Sequence, residues 1–185
     1  MLLQTGRWPA LVDAASWKRI IGELVQDETK LEASFYQSGK MDEAPCQGDI
    51  IELNCSTPFI DETGQIFVSE KEFQHWIILG NTCDMSRADE RYSLIAPLVP
   101  IETEMTEDER RVLRRYEYYK KFYVPPWPDD ADQLHRLADF MQLVTIEKAA
   151  FHKTAHIVAR LQFPAWALLH ACIVRYLARD DGRFD

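Results

Sequence analysis

His75, Cys83 and Asp84 are the side chains in this chain whose types and closeness in sequence could do covalent chemistry. A cysteine nucleophile needs a thiolate, a base within hydrogen-bond reach, and donors for a developing oxyanion. His75 is the base candidate, because imidazole titrates near neutrality. Asp84 adjoins the thiol and completes the catalytic candidates. Asn81, Thr82 and Arg87 surround the pair with hydrogen-bonding and cationic groups, so they are the binding candidates of the same loop. The alternative is structural. Cys83 is then a small buried group pointing into the core, while Thr82 and Asp84 accept nearby backbone N–H groups and Asn81 takes left-handed backbone angles.

A second group is basic. Arg111, Arg114 and Arg115 lie in a run from Arg110 to Lys121 that also carries Tyr116, Tyr118 and Tyr119, with Tyr123 just beyond. Arginines interleaved with aromatic rings suit single-stranded RNA, whose bases stack and whose phosphates need cations. The same run also reads as a solvated helix face. Glu107, Asp108 and Glu109 precede the arginines, which is the order the helix dipole favours.

His152 and His156 are four residues apart, and on one helix they would share a face. A metal site needs a third ligand and supporting hydrogen bonds, and only His170 stands in reserve. They are read as packing or surface histidines, with no metal site and no cofactor. The four cysteines are scattered without the C-x-x-C spacing of a zinc ribbon, which suits reduced thiols in a cytosol.

These residues need elements to hold them. Trp76-Ile77-Ile78-Leu79, ending at Gly80, and Tyr92 to Ile101 read as core strands that flank the Asn81–Arg87 loop. Gly48 to Leu53 reads as a first strand, Asp61-Glu62-Thr63-Gly64 as a turn, Gln65 to Val68 as a short strand, and Ser69 to Gln74 as a connector. Thr106 and Glu109 form a capping box that opens an inserted helix over about 106–123, stopped by Pro125-Pro126. Asp139 to Ile146 reads as a late strand, and Glu147 to Ala159 as helix or turn. Trp17, Ile20, Ile21, Leu24 and Val25 form one apolar helical stripe, and Ala165 to Arg179 an apolar last helix.

The composition sets the class. At 185 residues, 46% of them hydrophobic, the chain can build a real core. A net charge of −9 argues against a general nucleic-acid binder. No apolar run approaches the roughly 18 residues that span a membrane.

Three segments carry a resemblance. Gly48-Asp49-Ile50-Ile51, Trp76 to Gly80, and Tyr92 to Leu98 with its Ala96-Pro97 resemble, in order, the core strands of the MazF/PemK toxins. Phe140 to Glu147 is similar to the later strand before their closing helix. The resemblance implies an α+β fold: a small SH3-like antiparallel β-barrel, residues 46–150, with an inserted helix. An N-terminal helical extension (1–45) and a C-terminal helical segment (151–185) would flank it. The toxins carry a basic residue and a proline before the second core strand, and a hydroxyl residue at its end. Here Gln74-His75 and Gly80 stand in those places, and Val99 stands where a threonine follows the Ala-Pro strand. The resemblance therefore implies a non-catalytic interaction or regulatory module of a bacterial toxin–antitoxin or phage-defence system. Its partner would be a protein encoded in the same operon, or a second copy, in the cytoplasm. The alternative is a divergent endoribonuclease, acting on RNA through a site rebuilt from His75, Asn81, Cys83, Asp84 and Arg87.

Overall fold

Alternation of side chains along a strand sends neighbours to opposite faces of a sheet, and here both directions are apolar. Ile50 and Ile51 are each fully buried, as are Ile77 and its neighbours Trp76 and Ile78, and Ala96 and Ile95. The central sheet is therefore buried on both faces, and its helices and loops are arranged to cover it.

The computed structural model describes residues 14–39, 44–101 and 105–177. Two helices, α1 (Ala14–Leu24) and α2 (Glu28–Ala33), precede a long hairpin of β1 (Asp49–Ile60) and β2 (Ile66–Ile78). A short helix α3 (Thr82–Ser86) leads to β3 (Tyr92–Pro100), and α4 (Glu107–Arg114) to β4 (Lys121–Val124) and β5 (Arg136–Asp139). A 3-10 turn (Phe140–Gln142) separates β5 from β6 (Val144–Glu147). The chain continues through α5 (Lys148–Thr154) and β7 (His156–Arg160) to α6 (Phe163–Leu177). Of the expected last helix, Ala178 and Arg179 lie outside the described residues, as do the side chains of Trp17 and His152.

Six of the seven described strands pair antiparallel in the order β4-β5-β3-β2-β1-β7, and β6 pairs with β3 off this path. β5 and β6 occupy the flank of β3 opposite β2, β5 along Leu98–Pro100 and β6 along Tyr92–Ile95. The sheet is open, which corrects the expectation of a closed SH3-like barrel. No ladder joins β7 to β4. The short stretch Phe35–Gln37 fills the gap instead. Gln37 N donates to Arg160 O at 2.9 Å, and Gln162 N to Phe35 O at 2.8 Å. On the other side the Tyr36 hydroxyl donates to Pro125 O, and the Phe35 ring packs on Phe122. Backbone bonds join this stretch to the end of β7, and side chains alone join it to β4 and Pro125.

One face, with Ile50, Ile77, Ala96 and Leu98, packs under α1, α2 and α6 through Ile21, Val25, Leu31, Leu168 and Leu169. The other, with Ile51, Trp76, Ile78 and Ile95, is closed by Phe151 of α5 and the partly buried Met85 and Ile157. Each such large side chain stabilises the fold by about 1.5–3 kcal/mol when fully buried.

The inserted helix is shorter than its sequence pattern suggests. Its capping box forms: Glu109 N donates to Thr106 Oγ1 and Thr106 N to Glu109 Oε2. It then ends at Arg114 in a Schellman arrangement. Glu117 N donates to Val112 O and Tyr116 N to Leu113 O, with Tyr116 at φ 55°. Glycine is usual in that left-handed position. Tyr116 occupies it because its ring is buried against Phe122 and its hydroxyl donates to Tyr123 O at 3.0 Å. Lys121 to Val124, expected at the helix end, is a strand. Ser69 to Gln74, expected as a connector, is the middle of one continuous strand β2.

The edge strand β7 is tied to β1 by a buried ion pair. Arg160 Nε donates to Asp49 Oδ1 at 2.7 Å and its Nη2 to Asp49 Oδ2 at 2.8 Å, while Cys46 N donates to the same carboxylate. The carboxylate is fully buried. Burial pushes its pKa up, and the bonds from Arg160 and the Cys46 N–H pull it back. Removing one partner of such a pair leaves an uncompensated buried charge, whereas an apolar replacement of both does not. Arg160→Met should therefore lower stability by about 3–5 kcal/mol in urea unfolding, and adding Asp49→Leu should recover most of that loss.

Candidate functional site

Asn81 to Arg87 folds as a capped turn of helix. The Asn81 side chain accepts from Cys83 N at 2.9 Å, with Asn81 itself in extended backbone (φ −62°, ψ 137°) and not in the left-handed region. Thr82 Oγ1 accepts from Gln47 N at 3.0 Å, tying the loop to the entry of β1. Lys148 of α5 clamps the far end, its Nζ donating to Asp84 O at 2.7 Å and Arg87 O at 2.6 Å. The carboxylate of Asp84 meets Arg87 at 3.7 Å, both more than half exposed, so that pair contributes little. Cys83 is exposed, which corrects the expectation that it points inward. The reason is helical geometry: Met85 is the residue of this turn that packs toward the core, and Cys83, two residues earlier, faces elsewhere.

His75 sits within β2, opposite Glu52 of β1. Its ring lies 5.0 Å from that of Trp127 at a steep angle. Burial lowers its pKa and nearby Arg136 lowers it further, against the raising effect of Glu52. Three strand residues carry the chain from His75 to Ile78, about 10 Å, before the turn that holds Cys83 begins. The sequence neighbours His75 and Cys83 thus occupy different places, the imidazole on an indole and the thiol in solvent.

A cluster that the sequence reading passed over adjoins His75. Arg136 and Asp130 form a buried two-pronged ion pair, and the guanidinium stacks 4.3 Å from the Trp127 ring centroid. Trp127 lies in the Pro-rich helix stop and Asp130 just after it, and only the tertiary fold brings Arg136 to them. The cluster braces the β4–β5 hairpin and the ring of His75.

Among the described residues no group of histidine, cysteine and carboxylate side chains is arranged to hold a metal. His152 lies in α5 and His156 opens β7, so the shared helix face does not exist. His170 stacks on Trp166 in α6. The basic residues are mostly surface pairs: Arg111 with Asp108 at 3.2 Å, Arg114 with Glu107 at 3.0 Å, Arg115 with Glu117 at 3.9 Å. Tyr116 and Tyr123 are buried and withdrawn from stacking, while Tyr118 stays exposed beside Tyr119.

The largest departure from an ordinary surface is the far half of the β1–β2 hairpin. Past the Glu52–His75 rung neither strand has a second neighbour among the described residues: β7 ends its pairing with β1 at Glu52, and β3 its pairing with β2 at Trp76. The hairpin projects as a two-stranded arm with Phe59, Ile60, Ile66, Phe67 and Val68 all exposed, Ile66 to 74%. Both faces of its tip are apolar. Phe59 and Phe67 pair across the strands with their rings stacked at 5.9 Å, and Ile60–Ile66 follows on the opposite face. The turn is well held: Asp61 Oδ1 accepts from Thr63 N, Thr63 Oγ1 and Gln65 N, and Gly64 supplies a φ of +81°. The Phe59-Ile60 and Ile66-Phe67-Val68 runs on either side of a turn were the available signal.

No protein-family model matches this sequence, and a comparison with curated proteins finds no match. No described helix is long and apolar enough to cross a membrane.

Two measurements follow from these placements. Cys83 should be alkylated by iodoacetamide well before Cys55 and Cys172, whose thiols are pushed up by burial to about 11 and about 12. His75 and His135 both have lowered pKa values, so the unfolded chain binds more protons below its ordinary histidine pKa of 6.5. Their contribution to stability is complete above that value and lost as pH falls toward the folded pKa. The urea midpoint should drop between about pH 7.5 and about pH 5.5, and His75→Asn should flatten part of that slope.

Proposed function

We propose that this chain is a protein-interaction module that inserts its β1–β2 arm into a partner protein. The observation that carries this reading is the arm's tip, where Phe59, Ile60, Ile66, Phe67 and Val68 are exposed together on both faces of a two-stranded hairpin. Exposed apolar surface of this kind is a docking site or an aggregation hazard, and unpaired strand edges add to the hazard unless a partner covers them. The arm also carries Asp61, Glu62, Glu70 and Glu72, so the complementary surface is an apolar groove rimmed by lysine and arginine.

The resemblance of the strand order to the MazF/PemK toxins, with Gln74-His75, Gly80 and Val99 replacing their cleavage residues, supports a place in a toxin–antitoxin or phage-defence assembly. The partner is then a product of a neighbouring gene. A ribonuclease centred on His75 and Cys83 would need both groups at one phosphate, and β2 holds them apart.

Co-expression with the adjacent gene products tests the reading. A stable complex is expected, and Phe59→Ser with Phe67→Ser should weaken it by about a hundredfold or more, since buried aromatic anchors at interfaces each contribute about 2 kcal/mol or more. The two rings are about half exposed and bury little apart from each other, so the unfolding free energy of the free chain should change by no more than about 1–2 kcal/mol. Failure of every neighbouring product to bind, or equal binding by the double variant, would overturn the proposal.

A further inference from the structure

Between the face of α4, the end of β3 and the loop entering β5 lies a cavity of about 180 Å³. Its lining divides by chemistry. Arg110 and Arg114 enter from α4, four residues apart and therefore on the same face. His135 and Tyr123 form the floor, and Ile101 and Leu134 an apolar wall. We propose that this cavity binds a small phosphomonoester, its phosphoryl group between the two guanidiniums and its organic part against Ile101 and Leu134.

Charge and geometry both favour that class. A carboxylate is satisfied by one two-pronged arginine, whereas two guanidiniums converging from one helix face suit a dianion with three terminal oxygens. At Arg114 the present partner is Glu107, whose side chain is 75% exposed, so at that guanidinium a bound anion displaces a weak, solvated pair. The cavity is smaller than the roughly 300 Å³ at which pockets begin to enclose drug-sized ligands, which limits the organic part to a single ring or a short chain.

The histidine is held ready. Its Nδ1 lies 2.6 Å from the Tyr123 hydroxyl, with Glu32 of α2 more distant at 3.4 Å from the same oxygen. With Tyr123 donating to Nδ1, Nε2 carries the ring proton and is a donor. The groups facing His135 are Glu32, Arg110, Arg114 and Tyr123. Burial lowers its pKa, Glu32 opposes, and Arg114 and Arg110 lower it further. A phosphate dianion between the arginines cancels their effect, so binding draws a proton onto His135.

Nitrogen-detected NMR of the full chain, titrated with inorganic phosphate and with phenyl phosphate, tests this. Saturable shifts are expected at His135 and at the Arg110 and Arg114 side chains, with phenyl phosphate binding about tenfold tighter through the apolar wall. The apparent pKa of His135 should move upward in saturating phenyl phosphate. Arg114→Gln should weaken binding about tenfold or more, as loss of a charge-assisted bond does. Leu134→Ala, at a partly exposed position of the apolar wall, provides a second variant that should reduce the preference for phenyl phosphate while leaving the affinity for inorganic phosphate unchanged. Shifts that never saturate, equal affinity for benzoate, or a His135 pKa that does not move would overturn the proposal. Tighter binding of a short single-stranded RNA at the same residues would overturn the small-molecule class.

Discussion

The β1–β2–β3 rungs are apolar on both faces, and the remainder of the molecule follows from having to cover them. One face, led by Ile50, Ile77 and Ala96, needs a broad lid, which α6 supplies together with α1 and α2. The other, led by Ile51, Trp76 and Ile78, is narrower and is closed by Phe151 and by the α3 turn through Met85. The Trp76 indole needs a partner at this depth and finds it in Leu53 O at 2.8 Å. Gly80 belongs to the same constraint. A Cβ there would meet Ser93 Oγ at 2.0 Å and crowd Ser93 Cβ and Leu94 N at 3.3 and 3.4 Å, so the close exit of the chain from β2 against β3 suits a residue without a side chain.

Polar groups within this frame serve as fasteners. Asp49 and Arg160 lock the edge strand β7 to β1, and Arg160 reaches on to Ala44 O at 2.8 Å. Arg136, Asp130 and Trp127 do the same for the β4–β5 hairpin. Such pairs owe their retention to geometry, because two charges removed from water recover their desolvation only when both prongs and the remaining oxygens are satisfied. Lys148 performs a lighter version at the surface, holding the C-terminal end of α3 by two carbonyls. The Asn81–Arg87 loop is thus rigid for structural reasons, and its exposed thiol sits on a turn that is held without it.

Local patterns were the legible part of the sequence. The apolar runs at 76–79 and 92–100, the Asp61–Gly64 turn, the capping box at Thr106 and the last helix could each be read from neighbouring residues. What escaped the reading depends on residues far apart. Ser69 to Gln74 is polar enough to pass for a connector, yet it is strand because it pairs along β1, with Phe73 turned into the core and Glu70, Glu72 and Gln74 exposed. The α4 helix stops early because Tyr116 gains more from burial against Phe122 than it loses in a left-handed backbone, a balance set by another strand. The barrel stayed open because Phe35–Gln37 inserts where a closing rung would lie. At the candidate site, proximity in sequence suggested that His75 and Cys83 meet, whereas the strand between them keeps them apart. The Arg110–Arg114–His135 grouping needed the fold, since α4 and the entry to β5 are separated by a strand and a proline-rich turn.

Pairing to β3 and β7 ends at the Glu52–His75 rung, and the exposed apolar tip beyond it is the surface we propose a partner covers. Amide hydrogen exchange, compared between the free chain and its complex with a neighbouring gene product, tests that claim most directly. The account predicts that rungs 49–52 and 76–78 exchange slowly in both states, while amides on the open outer edges of residues 56–70 exchange fast in the free chain and become protected in the complex. Protection confined to other surfaces, with the arm exchanging equally fast in both states, would contradict it.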